Sequence, residues 1–491
     1  MLLYLILAVP AAGAAGTGAA AAAGTPWRRW ICWLAAAANG AVLVIGSALA
    51  FWVTRHHPLT APGGVLRADA LSAFMVVVIG AIALLASCQS ARYLSAQTAR
   101  GACSPRHAAL YTALVQAFAV CMLIAVLAAN LGVMWVAVEA TTITTTFLVG
   151  HRRTDGALEA SWKYMVICSA GIALAFLGTA LVYYASLHAA GHPAASLDWT
   201  SLLAAAPRLN PGVMRLAMAL LVLGYGTKAG LAPMHSWLPD AHSQAPAPVS
   251  ALMSGVLLTV AFYALLRFKA IADATLGTGY PRVLLAAAGL ASLAVAASLL
   301  LTQRDYKRML AYHSIEHMGL IALGAAAGSA LAIAAVLLHI LGHGLAKGVL
   351  FLASGEILLA EGTSDIAKVP ALLSRRPVLG GIFGFGLVAL LGLPPFSLFV
   401  SELNMVRAEA AAGLGWAAAI ALACMAVIFA AVMTHGRHLL LGDAPPGEQP
   451  QATPRIVTVP LTAGLAACML FGISAWPLQP LLHAAAQVVA S

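Results

Sequence analysis

The chain has 491 residues, 62% of them hydrophobic and only 9% charged, and its mean hydropathy is +0.92. A soluble domain carries about 25% charged residues, so a soluble globular enzyme is excluded and an all-α polytopic membrane protein is expected. The net charge of +10 does not signal nucleic acid, because the basic residues are scattered and no stretch is basic enough to follow a phosphate backbone.

Apolar runs of about 20 residues, the length that crosses about 30 Å of hydrocarbon, recur fourteen times. The first three cover 2–23, 30–54 and 69–91. The first lacks a basic leader, so a retained helix is expected rather than a cleaved signal peptide. Spans follow at 108–128, 131–150 and 161–187, and Glu139 lies inside the fifth. The seventh, 213–241, carries Lys228 and then Ala-Gly-Leu-Ala-Pro-Met-His-Ser-Trp-Leu-Pro-Asp-Ala-His. Pro233 cannot continue a helix, having no N–H and clashing with the preceding turn. A lysine beside a broken helix in an apolar protein is the pattern of ion-translocating membrane proteins. His235 and His242 follow the break.

The eighth to eleventh spans are 247–267, 283–302, 308–328 and 330–360. His313 and His317 share a helix face, with Glu316 adjacent; His339, His343 and Lys347 recur every four residues on the next span. Such a row can pass protons through water. A metal site from His313, His317, His339 and His343 is conceivable, but no motif fixes four ligands, and no resident metal is expected. Glu356 falls at the end of this span. The twelfth, 377–410, is broken at Gly392-Leu-Pro-Pro, an echo of Gly230-Leu-Ala-Pro, and Glu402 follows the break. Five spans separate the breaks, so two repeats of opposite topology are expected. Spans at 415–436 and 456–476 complete the chain.

With both termini outside, the inner loops hold sixteen basic residues, Arg28 and Lys307 among them, and the outer side eight, including Arg267 and Lys269. That leaves Lys228 and Lys347 as the two cations inside spans, with Glu139, Glu316, Glu356 and Glu402 as the acids. Each costs a few kcal/mol if it faces lipid, so together they imply a hydrated polar line through the bundle. The seven cysteines form no C-x-x-C pair, and there is no P-loop or dinucleotide fingerprint. No cofactor is expected, and energy must come from a partner or an ion gradient.

The Lys228–His242 segment, Ala245-Pro-Ala-Pro-Val-Ser-Ala-Leu-Met-Ser-Gly255, Trp135-Val-Ala-Val-Glu139, Ala311-Tyr-His-Ser-Ile-Glu-His-Met-Gly319, His343-Gly-Leu-Ala-Lys347 and Leu393-Pro-Pro-Phe-Ser-Leu-Phe-Val-Ser-Glu402 closely resemble the antiporter-like membrane subunits of respiratory complex I and membrane-bound hydrogenases. The Asp-Ala-His-Ser-Gln-Ala-Pro, Ser-Ile-Glu-His and Pro-Pro-Phe runs look most like the component F subgroup of the hydrogenase-4, or formate-hydrogenlyase, branch. The resemblance implies fourteen helices in one integral membrane domain. Residues 1–107 form helices 1–3, 108–268 and 283–436 form inverted repeats of five helices each, and 456–476 forms helix 14. It implies a proton-translocating subunit in the inner cell membrane, with redox and membrane subunits as partners. Glu139 then tunes Lys228, the carrier of the first half-channel. His317, His343 and Lys347 form the connecting axis, and Glu402 is the carrier of the second half-channel; His235, His242, His313, Glu316, His339 and Glu356 are possible further relay groups. The alternatives are a subunit of a multi-subunit sodium/proton antiporter and a structural anchor that pumps nothing. The chain departs from the resemblance at Thr259, where many family members have a lysine.

Overall fold

The computed structural model describes residues 1–23, 29–189, 196–442 and 449–490. Arg28, counted above on the inner side, lies outside them. In an apolar solvent every backbone N–H and C=O must be paired internally, so the apolar runs become helices. In chain order these are α1 (Leu2–Ala22), α2 (Arg29–Arg55), α3 (Ala70–Ala99), α4 (Pro105–Leu127), α5 (Leu131–Val149), α6 (Asp155–Leu187) and the short α7 (Trp199–Ala205). The first break separates α8 (Pro211–Ala229) from α9 (Trp237–Gln244). Then come α10 (Ala247–Leu252), a π-helical turn (Met253–Leu257), α11 (Leu258–Leu276), α12 (Gly279–Leu300), α13 (Tyr306–Ala327), α14 (Ala330–Glu361) and the one-turn α15 (Leu372–Arg375). The second break separates α16 (Pro377–Leu390) from α17 (Ser397–Ala411), and α18 (Gly415–Leu440), α19 (Arg455–Ile473) and α20 (Gln479–Gln487) close the chain.

Among the described residues, eleven helical stretches are long and apolar enough to cross a membrane. The other expected spans are helical but different in kind. Those at 213–241 and 377–410 are interrupted, and α13 is one continuous helix whose apolar run is diluted by His313, Glu316 and His317. Helix starts follow their caps: Asp69, Asn130, Asn210, Asp305 and Ser329 each accept a hydrogen bond from a backbone N–H of the first turn they precede. Both breaks use a glycine in the left-handed region, Gly230 at φ +80° and Gly392 at φ +61°.

Loops gather at two ends. At one, Leu66 bridges Ala128 and Asn130 bridges Asp198; at the other, Asp305 bridges Asp365. Between them the most apolar window of 330–361 and of 247–276 is wholly buried, against 17% of that in α1. Helices α10, α11 and α14 are therefore the centre, and α1, α2, α18 and α19 the rim. Small residues let the central helices approach: Gly224 packs on the backbone of Gly171 and Ala175, Gly289 on Gly319, and Gly255 on Gly344. Outward-facing Trp30, Trp33, Trp52, Trp162 and Trp416 sit near helix ends, as an aromatic belt requires.

Three basic residues assigned above to loops are buried inside helices. Arg267 and Lys269 lie on α11, and Lys307 on the first turn of α13. Each has found the partner that burial demands. Lys269 is bonded to Asp273, and Lys307 donates to the carbonyls of Ser243 and Ala245 at 2.8 and 2.7 Å. Arg267 grips Asp69 with two bonds of 2.6 and 2.7 Å, and also donates to Ser72 and Tyr263.

A buried pair that loses one partner strands the other, at a cost of about 3–5 kcal/mol. Asp69→Asn is therefore expected to lower stability by about that amount, since asparagine can still cap α3 but no longer neutralises Arg267. The companion variant Asp69→Leu with Arg267→Met is expected to recover much of the loss. Thermal unfolding of the purified protein checks both, and an unchanged midpoint for Asp69→Asn contradicts the assignment.

Candidate functional site

The first cluster forms where α5, α6 and α8 meet. Lys228 is fully buried at the last turn of α8. Its ammonium donates to Thr142 Oγ1 at 2.6 Å and to Tyr164 Oη at 2.7 Å. Thr142 in turn donates to Glu139 Oε2 at 3.0 Å, and Ser169 donates to Glu139 Oε1 at 3.2 Å. The acid expected to pair with Lys228 is thus joined to it through a hydroxyl, not by direct contact. Thr142 is one helical turn beyond Glu139, a spacing visible in the sequence once Glu139 is singled out.

Beyond the break, Trp237 donates to the Thr227 carbonyl and fixes α9 under the end of α8. His242 on α9 is fully buried and stacked on Phe351 of α14, with ring centroids 4.9 Å apart. Lys307 takes the carbonyls at the C-terminal end of α9, where a helix favours a cation. At the surface beside it, a cavity of about 210 Å³ is lined by Lys163, Asp240, Ser243, Gln244 and Arg308. His235 sits half-buried within the break.

Helices α13, α14 and α17 carry the second cluster. His313 Nδ1 lies 2.5 Å from Glu316 Oε2, although the two are not aligned as a hydrogen bond. The rings of His313 and His317 stack at 5.0 Å, and His343 lies 5.0 Å from His317. His317 Nδ1 and His339 Nε2 are 2.9 Å apart, and His339 Nδ1 is 2.9 Å from Ser401 Oγ. Ser401 spends its own hydrogen on the Leu398 carbonyl at 2.8 Å. His339 must therefore donate from Nδ1, which leaves Nε2 to accept from His317. Lys347 is fully buried and bonded to the Leu310 carbonyl. Ser254 and Ser314, 2.9 Å apart, join the π-helical turn to α13; π-turns of this kind gather at functional sites.

Glu402 follows the second break. A Cβ at Gly392 would stand 2.0 Å from its carboxylate, so only glycine lets the break hold this acid. Donor atoms of His317, His339 and Glu402 lie within 4.8 Å of one another. Glu402 opens on a cavity of about 560 Å³ that Glu316 and Glu409 also line. Glu409, two turns further along α17, is 2% exposed. Sequence reasoning passed over it, although its i+7 spacing from Glu402 puts both on one face.

Two further residues singled out in the sequence have partners of their own. Glu356 is held by Arg92 as an ion pair, through bonds of 2.9 and 3.1 Å near the end of α14. Thr259 is buried, and its hydroxyl returns to the carbonyls of its own helix at Val256 and Gly255. Four of the buried histidines share one property. Both ring nitrogens of His242 and His343, and Nε2 of His313 and His317, have no hydrogen-bond partner among the described residues. Buried polar atoms are nearly always paired, with water where protein supplies no partner.

Residues 128–429 match the family described as NADH:quinone oxidoreductase/Mrp antiporter, TM. The chain is 39% identical over 372 residues to a hydrogenase-4 component F homolog of Methylacidiphilum infernorum (isolate V4), covering 76% of this chain and 78% of that one. It is 30% identical over 450 residues to hydrogenase-4 component B of Escherichia coli (strain K12), covering 86% of this chain and 64% of that relative's length. Among solved structures, a chain of the membrane-bound sulfane sulfur reductase (MBS), an archaeal respiratory membrane complex, superposes with a TM-score of 0.88 at 23% identity, covering 100% of this chain and 98% of that one.

Proposed function

This chain belongs to the NADH:quinone oxidoreductase/Mrp antiporter transmembrane family, and on that premise we propose that it is the proton-translocating membrane subunit of a hydrogenase-4-like or NADH-quinone-oxidoreductase-like complex. The observation that carries the reading is the row of buried, unpartnered imidazole nitrogens between the two broken helices. Water beside such nitrogens makes a proton path, and histidine is the side chain best suited to exchange protons near neutral pH.

The path starts at the small polar cavity beside Asp240. Lys228, tuned by Glu139 through Thr142, is the first carrier. His242, Lys347, His343, His317 and His339 form the axis, with His313 and Glu316 beside it, and Glu402 is the second carrier. Residues 108–268 and 283–436 act as inverted halves around their broken helices. The protein lies in the inner cell membrane with both termini outside, an orientation supported by the excess of basic residues on the other side. Redox chemistry belongs to partner subunits.

The test is vesicle acidification by the purified complex during turnover of its electron donor. Acidification that a protonophore abolishes is the expected result. Proton movement driven by a sodium gradient without donor selects the antiporter reading instead.

Glu409 extends the path from Glu402 toward the outer surface. Glu409→Gln is expected to slow transport about tenfold or more, while Glu409→Asp keeps most of it, because the carboxyl group and not its length carries the proton. Equal rates for the two variants would remove Glu409 from the path.

A further inference from the structure

The junction of α13, α14 and α17 has the donor set of a metal site. His317 comes from the first, His339 from the second and Glu402 from the third, and one donor atom of each lies within 4.8 Å of the others. His317 and His339 are fully enclosed. Zinc binds two imidazoles and a carboxylate readily, and three protein ligands with a fourth position open is a common zinc arrangement.

The surroundings fit a ligand set as well. An outer partner on the other ring nitrogen strengthens a metal-bound histidine and fixes its tautomer; His339 has one, and His317 has none among the described residues. His339 has that partner in Ser401 Oγ, at 2.9 Å, so its Nε2 lone pair faces inward. The proton on His317 Nδ1 has somewhere to go, because Nε2 of that ring is buried and unpartnered. Moving the proton to Nε2 frees Nδ1 for a metal. The 2.9 Å separation of the two nitrogens has to widen by a few tenths of an ångström to accept an ion at ordinary zinc–nitrogen distances of about 2.0–2.1 Å. Glu402 faces the cavity of about 560 Å³, and the carboxyl groups of Glu316 and Glu409 on its wall favour entry of a cation.

We propose that His317, His339 and Glu402 form a binding site for an added divalent transition ion, with Zn²⁺ the best fit, reached through the Glu402 cavity. An ion there occupies the lone pairs that would otherwise accept a proton. Zinc binding is therefore expected to stop transport. The site itself stands on its geometry, and only this last effect rests on the relay reading.

The experiment uses the intact purified complex, prepared without a histidine tag. Zn²⁺ is titrated in competition with a chromogenic chelator, and wild-type and variant complexes are compared so that sites on other subunits cancel. Wild type is expected to bind one more Zn²⁺ per chain than Glu402→Gln or His339→Gln. Ser401→Ala, which keeps all three ligands, is expected to bind about 10–100-fold more weakly than wild type. Lys228→Met, far from the junction, is expected to bind as wild type does even though it cannot transport. Substitution with Co²⁺ is expected to give the visible absorption of a tetrahedral centre in wild type and not in Glu402→Gln. Equal zinc stoichiometry in wild type, Glu402→Gln and His339→Gln overturns the site. Zinc bound as expected without loss of transport leaves the site standing and counts against the relay.

Discussion

Lys228→Met is expected to cut proton transport by the assembled complex at least about a hundredfold, the lower range for losing a group that exchanges protons. Methionine matches the lysine stem in length and volume but has no proton to carry. The subunit is still expected to insert and pack. The change removes the desolvation cost of a fully buried ammonium. It leaves Thr142 and Tyr164 short of one donor each, at about 1–3 kcal/mol for such unmet groups. Vesicle acidification at matched subunit content measures the effect, and a wild-type rate would end the carrier role. Glu139→Gln is expected to do less. The amide oxygen still accepts from Thr142, so the geometry survives while the charge that favours protonated Lys228 is gone.

Glu402→Gln is expected to block transport as completely as Lys228→Met, because a series of transfers fails at any single step. Glutamine fills the same space against Gly392 and keeps the break intact. Glu402→Asp shortens the side chain by one methylene and draws the carboxyl group back from the cavity, so partial activity is expected. The contrast between the two variants separates lost chemistry from lost packing. Full transport in Glu402→Gln would favour a structural anchor over a pump. Thr259→Lys is the counterpart at the family's usual lysine position. Thr259 has no acidic neighbour bonded to it, so a new ammonium there is expected to destabilise the chain by several kcal/mol.

The broken helices were legible from proline and glycine alone, since each removes a local option that no tertiary contact restores. Lys228, Glu402 and the histidine faces were legible because a charge or an imidazole inside an apolar run has few bland explanations. What one sequence does not contain is which helices meet. That His339 reaches Ser401 and Glu402, and that Arg92 captures Glu356, depends on how α3, α14 and α17 cross. The buried cations Arg267, Lys269 and Lys307 were misread for a different reason. They lie at the ends of apolar runs, where a long side chain as easily reaches water, and only their partners Asp69, Asp273 and the α9 carbonyls hold them inside.

The hydroxyl between Lys228 and Glu139 has a consequence of its own. The Thr142 hydroxyl has a single hydrogen to donate. While Lys228 is an ammonium, it gives Thr142 a hydrogen bond, and the hydroxyl is free to give its own hydrogen to Glu139. Once Lys228 loses its proton, the neutral amine has a lone pair that competes for that same hydrogen. If the hydroxyl rotates to satisfy it, Glu139 loses one of its two donors and keeps only Ser169. The carboxylate thus receives a report of the amine's state through one bond rotation, with no helix displaced. In the relay proposed above, Thr142 would then be a toggle with two settings, turned by one hydroxyl rotation.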